Sequence, residues 1–195
     1  MPACGKLRSP RAPRCTGADR RLVSMRSVVH QGRYTAALEG DFVVFLIGMR
    51  INRPWKPHKW LPVFLAMPRM LLWLRRRPQA GLLSWGLAWI GGPAVVQYWR
   101  SFEDLDRFAR AALQPHVPAW RRFNRSVRAT GDVGIWHETY KVRAGEFEAV
   151  YANMPRIGLG AAGEHQPVSG RSQTAPRRIG GDGADEPPVA PYENP

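Results

Sequence analysis

The segment 82–99 (LLSWGLAWIGGPAVVQYW) runs for eighteen positions without a charged side chain. Such a run can cross a bilayer as one helix or fold as two buried strands, and few other outcomes keep it from water. Gly91-Gly92-Pro93 in its middle decides against one helix. Proline removes a backbone donor and clashes with the preceding turn, and paired glycines favour chain reversal. The run therefore predicts strands over 82–90 and 94–100 joined by a tight turn. The apolar stretch 61–74 is only fourteen residues long and is broken by Pro62, Pro68 and Arg69, too short to span. No integral membrane span is expected, and surface association with a membrane is the milder form of the same chemistry.

Around this hairpin the patterning supplies the other elements. The segment 41–51 (DFVVFLIGMRI) is apolar on both parities, as in a central strand covered on both faces. A helix is expected over 58–76, with Leu61, Phe64, Leu65, Pro68, Leu71 and Leu72 at helical spacing. Its other side is also apolar, through Val63, Met67, Met70, Trp73 and Leu74, which predicts burial against a sheet and against a partner or ligand. Arg75, Arg76 and Arg77 suit its C-terminal end, and Pro78 stops it. Ser101 and Asp104 fit a capping box opening the next helix, whose stripe is Leu105, Phe108, Ala109 and Ala112. A second short helix is expected from His116, with Pro118 in its first turn and Trp120, Phe123 and Val127 inward. Strands over 133–142 and 147–154 complete the order β-α-β-β-α(α)-β-β. That order predicts an α+β fold, a ferredoxin-like split βαβ sandwich. Helices cover one face of such a sheet, and self-association into a homodimer is the expected cover for the other.

The formal net charge of +14 needs dissection before it is read as nucleic-acid binding. Of 29 basic residues 25 are Arg, a skew that genome base composition also produces. Residues 1–33 carry +7, residues 34–163 carry +9 and residues 164–195 carry −2. No apolar core of a secretory signal precedes Asp19-Arg20-Arg21. The domain is expected over 32–160, flanked by a disordered basic head (1–31) and a disordered Gly/Pro-rich tail (161–195). A basic head can hold polyanions non-specifically, but no nucleic-acid recognition motif accompanies it, so no specific nucleic-acid partner is expected. Cys4 and Cys15, the only two cysteines, rule out a disulfide framework and a Cys-rich zinc site in the core. A cytoplasmic location is the corresponding expectation.

Longer blocks carry a family likeness. GRYTAALEGDFVVFLIGMRIN (32–52), HKWLP (58–62), VQYWRS (96–101), GDVGIWHETY (131–140) and YANMP (151–155) resemble a bacterial monooxygenase-like, phenylacetaldoxime-dehydratase-like family of the dimeric α/β-barrel superfamily. The resemblance covers about residues 32–160. It implies the dimeric α/β-barrel form of the ferredoxin-like fold. The superfamily includes cofactor-free quinol monooxygenases and haem-binding dehydratases, so it implies the fold more strongly than the reaction.

The candidate chemistry is sparse. There is no nucleophile elbow, phosphate loop, dinucleotide fingerprint or Cys/His nucleophile pair. No histidine pair has the spacing of a helical metal site, so no metal is expected. His30 and His165 fall in the presumed tails and are set aside. His137, between Trp136 and Glu138 on a strand, is the candidate general base or haem ligand, against the plainer reading of a satisfied structural histidine. His116, Trp120 and Asn124 recur every four residues and share one helix side. His116 and Asn124 are catalytic candidates, and Trp120 a substrate-binding one, unless the stripe is merely solvated or subunit-facing. Tyr98 and Trp136 are further substrate-binding candidates, with His58 at the rim, although aromatic cores are common without ligands. The expected function is a small monooxygenase-like oxidoreductase acting on an apolar, aromatic small molecule with no cofactor. The alternatives are a non-catalytic dimeric ligand-binding or sensor protein and a haem-dependent aldoxime-dehydratase-like lyase.

Overall fold

The computed structural model describes residues 28–110, 130–169 and 174–179. The chain begins with β1 (His30–Ala37) and β2 (Phe42–Ile51). Helix α1 (Pro57–Arg75) and a single 3-10 turn (Pro78–Ala80) lead to the hairpin β3 (Leu82–Trp89) and β4 (Pro93–Trp99). Then come α2 (Phe102–Arg110), β5 (Val133–Val142) and β6 (Tyr151–Met154). The short elements α3 (Gly158–Ala162), β7 (Glu164–Pro167) and α4 (Ala175–Arg178) follow.

Strands β3, β4, β2 and β5 form, in that spatial order, a four-stranded antiparallel sheet. Strands β2 and β3 are parallel with β4 between them, and β4 and β5 are parallel with β2 between them. This is the ferredoxin-like split βαβ arrangement, and the α+β class follows. The uncharged run turns back at Gly91-Gly92, both at positive φ, where the Ile90 amide donates to the Gly92 carbonyl at 3.0 Å. A side chain at Gly92 would run into the Met49 carbonyl of β2, so the turn needs glycine for space as well as for backbone angle. No helix among the described residues is long and apolar enough to cross a membrane.

Alternation along the central strand divides the core. Val43, Phe45 and Met49 point toward the helices. Val43 packs with Leu74, Trp99 and Leu105, while Met49 packs with Val133, Trp60 and Val63. Phe42 and Val44 point to the reverse, where they meet Ala36, Tyr98, Tyr151 and Leu159. Two buried carboxylates pin the helices. Asp132 accepts from Arg53 at 2.8 Å and Lys56 at 3.2 Å, fixing the loop that enters α1. Asp104 accepts from Arg107 at 2.7 Å and from the Arg100 Nε–H at 2.7 Å. Half of the expected capping box forms: the Asp104 amide donates to the Ser101 hydroxyl at 3.2 Å, but the Asp104 carboxylate serves the arginines.

Three expectations need correction. The strand expected over 147–154 is reduced to β6, and it joins a second sheet of order β6-β1-β7. The ordered fold also passes residue 160, because β7 pairs with β1 from Tyr34↔Pro167 to Ala37↔Glu164. A four-residue strand, Glu-His-Gln-Pro, has no apolar alternation of its own, and the strand it needs lies far away in sequence. Helix α1 is not enclosed on both sides: Leu61, Leu65 and Leu72 are exposed. The helix expected from His116 lies outside the described residues.

Candidate ligand pocket

The helices do not fill the space above the sheet. A cavity of about 520 Å³ lies between α1, α2 and the helix-facing side of β2, β4 and β5. Its floor is Phe45, Ile47, Val95 and Ile135, and its roof is formed by Val63, Met67 and Leu71 of α1. Methionines suit such a roof, because an unbranched thioether adapts to whatever shape lies beneath it.

One buried amide breaks this apolar surface. Gln97 on β4 faces the cavity opposite Phe45. Its carbonyl accepts the indole N–H of Trp99 at 2.9 Å. An indole N–H can only donate, so the bond settles which end of the amide is oxygen. The Gln97 amide nitrogen is left with the Met67 sulfur at 3.9 Å, a weak acceptor. A donor held in place and poorly used is what orients a ligand oxygen in an otherwise apolar site. Among the described residues that line the cavity none is titratable.

The residues expected at a site are divided by strand alternation. His137 is exposed on the edge strand β5, opposite Ile47, with its ring 5.7 Å from that of Phe45. It shares the helix-facing side of the sheet but does not line the cavity. Tyr98 and Trp136 lie on the reverse side. Tyr98 packs with Tyr151 against α3, and burial, followed by the charge of Tyr151, raises its pKa above the ordinary tyrosine value. The Trp136 indole lies across β2, where a Cβ at Gly48 would stand 2.6 Å from it. His58 is exposed in the first turn of α1. His116, Trp120 and Asn124 lie outside the described residues.

Two residues set aside as tail residues meet in the second sheet. His165 stacks on Tyr34 at 4.4 Å, with His30 edge-on at 4.9 Å and Tyr151 at 5.6 Å. Its Nε2 is buried without a partner, and burial, His30 and Arg156 lower its pKa.

The pocket-forming part of the chain coincides with what it shares with known proteins. Residues 42–159 match the family described as monooxygenase af470-like. The chain is similar to monooxygenase af470 of Aspergillus fumigatus, 32% identical over 133 residues, which are 63% of this chain and 46% of the fungal protein. The match thus spans less than half of that relative. The fold is similar to that of an aldoxime dehydratase solved in complex with butyraldoxime. The TM-score is 0.54 at 16% identity, over 67% of this chain and 40% of the other.

Proposed function

The chain belongs to the monooxygenase af470-like family, and from that premise we propose a small oxidoreductase that oxygenates an apolar, aromatic molecule held between α1 and the sheet. The observation that carries this reading is the cavity, an apolar volume of about 520 Å³ with one underused donor, the Gln97 amide. A flat, uncharged substrate with an oxygen acceptor matches it: the rings fill the space and one oxygen accepts a hydrogen bond from the amide. Monooxygenation puts one atom of O2 into the product and the other into water. A hydroquinone-type substrate supplies the electrons itself, so the reaction proceeds without a cofactor. His137, which packs beside Phe45 from outside the cavity lining, is our candidate proton acceptor, with His116 and Asn124 as the other catalytic candidates. A homodimer formed across the part of the sheet's reverse side that the second sheet leaves open completes the proposal.

Haem, and with it a dehydratase-like reaction, fits the described residues poorly. His58 and His137 are both exposed and neither lines the cavity, so no described imidazole is offered to an iron there. A non-catalytic ligand-binding role is the second reading, and the lack of a titratable side chain among the described lining residues favours it.

Oxygen uptake with a naphthohydroquinone separates these readings. The oxygenase reading expects substrate-dependent consumption by colourless protein, and a roughly hundredfold or greater loss in His137→Ala with the fold intact. A thermal shift without uptake supports the binding protein. A Soret band overturns the cofactor-free reading, and unchanged turnover in His137→Ala removes that residue from its role.

A further inference from the structure

The mouth of the cavity opens through a surface that water does not favour. Phe64, Pro68 and Leu87 line the cavity and are themselves exposed. On the edge strand β3, Leu87 is 81% exposed and Trp89 78% exposed, and both share the helix-facing side with Trp85. The outer side of α1 adds Leu61, Leu65 and Leu72, and Trp55 before it is 71% exposed. Large exposed apolar groups gathered in this way mark an interaction surface.

The segment that carries them has charge of one sign. From Phe42 to Phe102 the sequence contains no Asp or Glu and nine Lys or Arg. Asp132 and Asp104, from outside that stretch, pair with Arg53, Lys56 and Arg100. Arg69, Arg75 and Arg76 are exposed and make no ion pair among the described residues. A second copy covers this patch poorly, because a symmetric pairing sets arginine-bearing surface against arginine-bearing surface. A nucleic acid would match the arginines but leave the leucines of α1 and β3 exposed to water.

We infer that this face docks on an anionic lipid bilayer. Tryptophans sit at the headgroup level, leucines enter the acyl boundary, and arginines reach the lipid phosphates while their stems cover apolar surface. The cavity mouth then faces the bilayer, so an apolar ligand enters without crossing water. That last step rests on the cavity being a ligand site, whereas docking does not.

Sedimentation with phosphatidylcholine–phosphatidylglycerol vesicles tests the docking, using the full chain so that the basic head is the same in every variant. The wild type binds mixed vesicles more tightly than pure phosphatidylcholine, and salt weakens the binding. Leu87→Ser and Trp89→Ser, at positions too exposed to disturb the fold, each weaken it about tenfold. Arg69→Gln, Arg75→Gln and Arg76→Gln each weaken it roughly fivefold. Failure of the wild type to bind overturns the inference. So does salt-sensitive binding that is indifferent to Leu87→Ser and Trp89→Ser, which would mark a polyanion site, or saturable capture of an acidic protein with no vesicle binding. None of these outcomes depends on turnover.

Discussion

The two sides of the four-stranded sheet are built from alternate residues of the same strands, yet they use polarity in opposite ways. On the reverse side polar atoms are spent on the fold. Ser84 donates to the Gly158 carbonyl at 2.8 Å, the Tyr151 hydroxyl accepts the Gly160 amide at 3.1 Å, and Trp136 fills the space that Gly48 leaves open. On the helix-facing side the floor is apolar, the helices stand off, and the Gln97 amide keeps capacity to spare. Aromatic and polar residues are thus not what marks a site in this molecule. Unfilled space beside an underused donor does.

The comparison can be broken at the side chain that fixes that donor. Trp99 is fully buried among Val43, Leu74 and Leu105. Trp99→Ala should cost about 3–5 kcal/mol in denaturant unfolding, as large aromatic truncations do. Trp99→Phe keeps most of the packing and should cost less, about 1–3 kcal/mol, because it leaves the Gln97 carbonyl without its donor. A negligible cost for Trp99→Phe would mean that the indole N–H does not hold the amide.

The reverse side is probed by ending the chain at Ala162. This removes β7, its pairing to β1 and the His165 stack on Tyr34. A loss of about 2 kcal/mol or more is expected from the missing ladder bonds alone. A melting temperature equal to that of the full chain would restore the domain boundary at residue 160.

The smallest effect is one of pH. Burial alone would raise the Asp132 pKa, but hydrogen bonds from Thr130 and Lys56, with the charges of Lys56 and Arg53, hold it below the ordinary value. A carboxylate depressed in the folded state contributes stability above its unfolded pKa of about 3.9 and loses it as pH falls through the folded value. Asp132→Asn should therefore be less stable than wild type at pH 7, and the gap should close at the acid end. A gap independent of pH would assign the role of Asp132 to shape and not to charge.

Much of the fold was legible because its signals are local. An uncharged run broken by Gly-Gly-Pro can only be a hairpin in a protein of this kind, and a strand apolar on both parities can only be central. The site was less legible because a strand places neighbours on opposite faces. Tyr98 drew attention for its chemistry and lies on the reverse side, while Gln97 beside it faces the cavity. Its pairing with Phe45 across the sheet was the signal that could have found it. Trp136 and His137 divide in the same way. The second sheet was illegible for another reason: β1 and β7 lack apolar alternation, β7 is only four residues long, and the two lie more than a hundred residues apart, so neither shows its partner.

The proposed function requires that a ligand sit in the cavity between α1 and the sheet. The direct measurement is the thermal stabilisation given by a naphthohydroquinone under argon to wild type and to Ile47→Trp, in which an indole fills the floor of the cavity. At a free concentration of about a hundred times Kd, wild type should gain about 2.7 kcal/mol. Ile47→Trp, folded and melting cooperatively, should gain none. Equal stabilisation of both proteins would place the ligand elsewhere and contradict the account.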